Sequence, residues 1–174
     1  MIEFSILNLA MRKDQYAMPS PKAQAQRVID QITPPGIITY YTDGFVDPIN
    51  HTAGAGFTTR HTTASIRVTD NASILQAEMF AIMEALTHVS LRAGHVGIHT
   101  DSRATIDSLQ HSMPPDIYLL TTVLTIAQRI LSQGRRIIIN WVPSHIGIYG
   151  NMLADKLAEK GRGMPPSSMI VNPS

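Results

Sequence analysis

The sequence predicts an α/β domain built on a mixed five-stranded sheet, a three-strand antiparallel meander plus two parallel strands, with helices on both faces in the order βββαβααβα. Three observations predict it. Three runs rich in Thr and β-branched residues follow one another between residues 37 and 69, separated by short connections. The pattern then switches to helical spacing at Ile74, Ala77, Ala81, Ile82, Ala85, Leu86 and Val89. Two further short apolar runs each lead into a helical pattern, which is the layout of parallel strands joined by crossovers.

The elements follow in order. Ile37 to Thr42 reads as the first strand, Ala53 to Thr59 as the second and Thr62 to Thr69 as the third, with Arg60-His61 as a tight connection. The first long helix occupies the Ile74–Val89 pattern. His95 to Thr100 is a strand and Ser102 to Leu109 a short helix, after which Met113-Pro114-Pro115 breaks the chain. Tyr118 to Leu131 is an apolar-faced helix ended by Gly134, and Arg136 to Val142 is the fifth strand. Gly150 to Lys160 is the last helix, stopped by Gly161. Residues 36–162 form the predicted domain. Residues 1–35 read as a peripheral N-terminal segment, with one short helical stretch from Lys22 to Ile32 between the breakers Met18-Pro19-Ser20-Pro21 and Thr33-Pro34-Pro35-Gly36. Residues 163–174, rich in Gly, Pro and Ser, read as a flexible C-terminal tail.

Composition narrows the class. With 174 residues, 44% hydrophobic and 16% charged, the chain suits one domain with a real core. No run is long enough to be a transmembrane helix, and the N-terminus lacks the layout of a signal peptide, so a membrane partner is not expected and an intracellular location, cytoplasmic or nuclear, is. The absence of cysteine excludes disulfides and thiolate metal sites and fits a reducing compartment. Net charge is only +1. From residue 33 onward ten Lys and Arg face ten Asp and Glu. If cations neutralise four of those acids, the surface around them becomes positive, which suits a polyanionic ligand.

Those four acids are Asp43, Glu78, Asp101 and Asp155. Asp43 ends the apolar run Ile37-Ile38-Thr39-Tyr40-Tyr41 and precedes Gly44, which also reads as a turn pair. Glu78 lies on the apolar face of its helix with Ile74, Ala81, Ile82 and Ala85, and so points at the sheet, or else at the rim of that stripe. Asp101-Ser102 ends a strand, where either residue can also cap the next helix. Asp155 lies in the early turns of the last helix, with Asn151 as a candidate cap. Parallel neighbours would set Asp43 and Asp101 side by side, and ligands of open α/β sheets bind beyond strand ends. Four acids there suit hard divalent cations. His145 lies in a Gly-containing loop leading to Asp155, where a mobile imidazole can relay a proton.

Together Thr42-Asp43-Gly44, Gln76-Ala77-Glu78, Thr100-Asp101-Ser102 and the run Trp141-Val142-Pro143-Ser144-His145-Ile146-Gly147-Ile148-Tyr149-Gly150-Asn151-Met152-Leu153-Ala154-Asp155 resemble the ribonuclease H family, type 1. The resemblance covers about Ile37 to Gly161 and implies a ribonuclease H-like fold. It implies an endonuclease that hydrolyses the RNA strand of an RNA/DNA hybrid, leaving 5′-phosphate and 3′-hydroxyl ends. Asp43, Glu78, Asp101 and Asp155 would hold two Mg²⁺ ions, with Mn²⁺ as a substitute, and His145 would assist proton movement and product release. Gly44, Ser102 and Asn151 would contact the substrate, and Gly44 with Ala53-Gly54-Ala55-Gly56 would let the backbone approach the hybrid. Relatives often carry Glu where Met152 follows Gly150-Asn151, and a basic protruding helix is missing between Leu109 and Tyr118. The His145 loop resembles ribonuclease H domains of non-LTR retroelement reverse transcriptases, which implies a reverse transcriptase domain in the same polyprotein; a stand-alone enzyme is the other expectation. A non-catalytic hybrid-binding or scaffolding domain that retains the fold is the alternative function.

Overall fold

The computed structural model describes residues 1–6, 20–32, 36–111 and 117–173. The proline breakers expected at 18–19, 33–35 and 113–115 lie outside the described residues. Strands β1 (Glu3–Ile6), β2 (Ile37–Asp47), β3 (Thr52–Thr59), β4 (Thr62–Val68), β5 (His95–Thr100), β6 (Ile137–Trp141) and β7 (Met169–Pro173) form one sheet in the order β1-β6-β5-β2-β3-β4-β7. Helices α1 (Pro21–Ile32), α2 (Ile74–Ser90), α3 (Arg103–His111), α4 (Ile117–Leu131) and α5 (Tyr149–Arg162) complete it. β2, β5, β6 and β1 are parallel neighbours, and β2, β3, β4 and β7 form an antiparallel meander. The predicted five strands and their order stand at the centre of the sheet, and one strand is added at each edge.

Both additions come from segments that the sequence reading left outside the core. In the tail, read as flexible, Met169-Ile170-Val171 pairs with β4 in the register Ile66↔Met169 to Thr62↔Pro173. Its β-branched residues fit a pleated surface, and β4 would otherwise leave its ladder open. At the other edge β1 pairs with β6, and Ser5 Oγ donates to Asn140 Oδ1 at 2.5 Å.

Glycines identify the two faces. A Cβ on Gly44 would lie 2.5 Å from Glu78 N, so β2 touches the backbone of α2 there. A Cβ on Gly54 or Gly56 would instead meet the backbone of α5. Side chains alternate along a strand, and Gly44 pairs with Ala55, so α2 and α5 cover opposite faces. The glycines expected to bring backbone against a nucleic acid therefore bring it against these two helices. Gly161, expected to stop α5, sits inside it, because a Cβ there would lie 2.3 Å from Ile66 O and glycine lets the helix lie flat on β4. The main core lies under α2 and α4 and contains Tyr40, Phe57, Met79, Ile82, Leu86, Val96, Ile98, Val123, Ile130, Ile137 and Ile139.

α2 starts where its sequence says it should. Ser73 Oγ accepts from Gln76 N at 3.1 Å, and Gln76 Oε1 accepts from Ser73 N at 2.8 Å. This reciprocal pair satisfies two of the helix's open donors. Ser73→Ala is expected to lower the stability to urea by about 1 kcal/mol.

One expectation about β2 changes. Asp43-Gly44 is not a turn: β2 runs on to Asp47, and Asp43 pairs with Gly56 in mid-strand. Phe45 and Val46 favour the extended chain, and β3 is long enough to pair with them. The turn comes at Asp47, whose Oδ1 accepts from Ile49 N at 2.9 Å and Asn50 N at 3.3 Å. What ends near Asp43 is the pairing with β5, at Thr42↔Thr100.

Candidate active site

Register brings the acids together. Thr42 pairs with Thr100, and Thr100 with Trp141, so Asp43, Asp101 and Val142 follow at the same height on three adjacent parallel strands. β5 stops there while β2 continues, which leaves a step in the sheet. Glu78 enters over that step from the buried face of α2, one turn inside the Ser73 cap. Asp43, Glu78 and Asp101 each offer a carboxylate oxygen, and the three lie within 4.8 Å of one another. Asp43 is 6% exposed and Glu78 5%.

Such a cluster is costly without a counter-charge. Burial pushes the Asp43 carboxyl up to about 7; its hydrogen bond with Glu78 opposes the rise, and the negative charges of Asp101 and Asp155 add to it. Glu78 is raised well above the ordinary range, first by burial and then by the charge and hydrogen bond of Asp43. Asp101 is raised too, by burial first. Its hydrogen bond from Asn151 lowers it, Asp155 raises it and His145 lowers it. Gly44 N donates to Asp43 Oδ1 at 2.9 Å, whereas Glu78 Oε2 is buried with no hydrogen-bond partner among the described residues. An orphaned carboxylate oxygen beside two others is what a hard divalent cation would satisfy, so these residues fit such an ion.

The remaining expected residues stand around this centre. Asp155, on α5, is exposed and outside the three-acid cluster, yet near enough for its charge to raise both Asp43 and Asp101. His145 is exposed, adopts the left-handed backbone at φ 59° and lies within electrostatic reach of Asp101. Asn151 does not cap α5; Ile148 holds that position. Inside the helix, Asn151 turns its amide to the sheet and donates from Nδ2 to Asp101 Oδ2 at 3.3 Å. Ser102 caps α3, its Oγ accepting from Thr105 N at 3.2 Å.

Two residues at the site escaped the sequence reading. Trp141 Nε1 donates to the backbone carbonyl of Asp101 at 3.0 Å, and the Arg103 guanidinium lies 4.3 Å from the centre of the Trp141 ring. Trp141 thus holds the Asp101 backbone, and Arg103 packs on the Trp141 ring. The signal available was that Trp141 is the only tryptophan of the chain and stands one residue from the strand end. Trp141→Phe keeps the ring under Arg103 and removes the donor. Divalent-cation binding at the acids is expected to weaken about tenfold, read by metal titration, because such outer contacts orient the ligand.

Residues 35–162 match the model of the RNase H family. The chain belongs to that family. The match spans the sheet from β2 to β6 and all of α2 to α5, so every acid described above lies within it. It is a family of nucleases that hydrolyse RNA in RNA/DNA hybrids with divalent metal ions, and the buried acidic cluster of this chain is a fitting place for one. Among the described residues no helix is long and apolar enough to cross a membrane.

Proposed function

We propose that this domain cuts the RNA strand of RNA/DNA hybrids at the Asp43–Glu78–Asp101 cluster, with Asp155 as the fourth ligand. The observation that carries the reading is the convergence of three carboxylates within 4.8 Å, one of them with an orphaned oxygen, in a ribonuclease H fold. Two Mg²⁺ ions, or Mn²⁺ in their place, would activate water and neutralise charge at the scissile phosphate, giving 5′-phosphate and 3′-hydroxyl ends. The chain's own groups do the rest. Asp43, held by Gly44 N, and Asp101, held by Asn151 and by Trp141 through its carbonyl, present fixed oxygens. Exposed Asp155 can shift as substrate enters. His145, solvent-facing, takes or returns a proton and helps product leave. Ser102 and Asn151 border the centre and are the proposed substrate contacts, reading the 2′-hydroxyl side of the hybrid, whereas Gly44 is packed against α2.

The wording of the His145 loop supports a place beside a reverse transcriptase of a retroelement, in one polyprotein and inside the cell. A labelled RNA/DNA duplex incubated with and without Mg²⁺ tests the activity. RNA-strand cutting that requires the metal, and spares duplex DNA, is the expected result. Tight hybrid binding without cutting at millimolar Mg²⁺ or Mn²⁺ would establish the scaffolding alternative instead.

A further inference from the structure

We propose that α1, which lies outside the residues matched by the family, is a positioning clamp for the His145 loop, with Ile29 and Ala25 as its positioning residues. The proposal rests on the assignment of His145 to the reaction.

The loop from Val142 to Ile148 has little of its own to hold it. His145 at φ 59° and Gly147 at φ 86° both take left-handed backbone, so two of three successive odd positions depart from any repeating pattern. Ile148, which closes the loop and caps α5, makes no side-chain cap hydrogen bond. Val142 N donates to Thr100 O at 2.9 Å, and the side chains that anchor the loop are apolar. Val142 and Ile148, its two ends, are buried in a small cluster with Ala25 and Ile29 of α1, and Tyr41 and Ile146 pack on its edge. Ala25 is 0% exposed and Ile29 4%. This cluster is separate from the main core under α2. At the first turn of α1, the Lys22 stem reaches Gly147 closely enough that an added Cβ would sit 3.4 Å from its Cδ. α1 thus packs with the loop's start at Val142 and its last residues at Gly147 and Ile148, while His145 is exposed to solvent.

The consequence reaches the site by two short routes. His145 is carried between the two clamped ends. Ile148 also fixes the first turn of α5, from which Asn151 bonds Asp101, and one turn further Asp155 acts on the cluster through its charge. A surface helix packed on a loop of irregular backbone restricts which loop conformers are populated, and that restriction is what orientation at a reacting centre requires.

The experiment uses the full chain and compares the parent with Ile29→Ala, Ile29→Val, His145→Ala and the Ile29→Ala/His145→Ala double variant. Two readouts are taken: kcat and KM for hybrid cleavage, and amide exchange of residues 144–148 against that of α2. A clamp predicts that Ile29→Ala lowers kcat roughly tenfold at nearly constant KM. Ile29→Val restores most of that rate. In the His145→Ala background the same change costs less than about twofold, because residues acting as a unit are not additive. Exchange at 144–148 should rise about tenfold or more while α2 amides keep their protection. The two losses multiplying in the double variant, or unaltered exchange in the loop, would overturn the clamp. So would faster loop exchange with kcat unchanged in an active parent. If the parent cuts no hybrid, the proposed function fails, and the exchange comparison still decides whether α1 holds the loop.

Discussion

Asp43→Asn is expected to do two opposite things: raise the stability of the metal-free protein at pH 7 and remove hybrid cleavage. Both follow from one burial. The Asp43 carboxyl is pushed from 3.8 to about 7 in the folded chain, so the folded state holds its proton more tightly than the unfolded state does. Stability of the metal-free protein therefore falls as pH rises from about 4 towards 7, where the folded state must give up a proton that the unfolded chain lost earlier. Above that window the full penalty, a few kcal/mol, is present. The asparagine cannot ionise, so its melting curve should be flatter across the same window and higher at pH 7 by roughly 5–10 °C. Melting in EDTA from pH 4 to 8 checks this. A divalent cation should raise the melting temperature of the parent, more so at higher pH where the carboxylates are ionised, and should do little for the asparagine variant. Cleavage is expected to fall about 10³-fold or more, since several kcal/mol of charge stabilisation goes with the ligand. An asparagine variant that melts like the parent at every pH and still cuts would remove both the electrostatic argument and the site.

How much of this was legible in the chain depended on whether the cause was local. The apolar face carrying Glu78 and the parallel pairing of the two acid-bearing strands follow from spacing alone. The acids converge in the structure because that spacing fixes which residues share a height and a face. Other features depend on what lies opposite in space. Asp43-Gly44 reads as a turn until β3 is present to continue the ladder. Gly161 reads as a helix stop until Ile66 is seen against it. The tail reads as loose, because nothing in Met169-Ile170-Val171 says that β4 has an open edge waiting for it. Asn151 and Trp141 are the clearest cases at the site. Both bond Asp101 across more than thirty residues of chain, from elements whose register had to be known first.

Gly54→Ala is expected to be among the most damaging small changes in the protein, and for a reason that reaches the site. An added Cβ would lie 2.1 Å from Ala158 O, 2.3 Å from Arg162 N and 2.8 Å from Gly161 C. All three are backbone atoms of one helix, so no side chain can swing away to make room. The whole of α5 must lift from β3, and its end is also tied to β2 by Arg162 Nη1 and Asp47 Oδ2 at 3.3 Å. Overpacking of this kind costs about 3 kcal/mol or more, at or above the top of the usual range for inserted methyl groups. Gly134→Ala is the useful control. Gly134 has φ 75° and open space where its Cβ would stand, so alanine there meets only backbone strain, worth about 1 kcal/mol. Urea midpoints of the two variants should therefore differ clearly, with Gly54→Ala far lower. The decisive comparison is the activity of whatever Gly54→Ala protein remains folded. α5 brings both Asn151 and Asp155 to the cluster, so a helix displaced by even half an ångström should lower kcat for hybrid cleavage tenfold or more, while Gly134→Ala, far from that helix, should keep the parent rate per folded molecule. Equal rates in the two variants would mean that the seating of α5 on β3 does not govern the geometry of the acids.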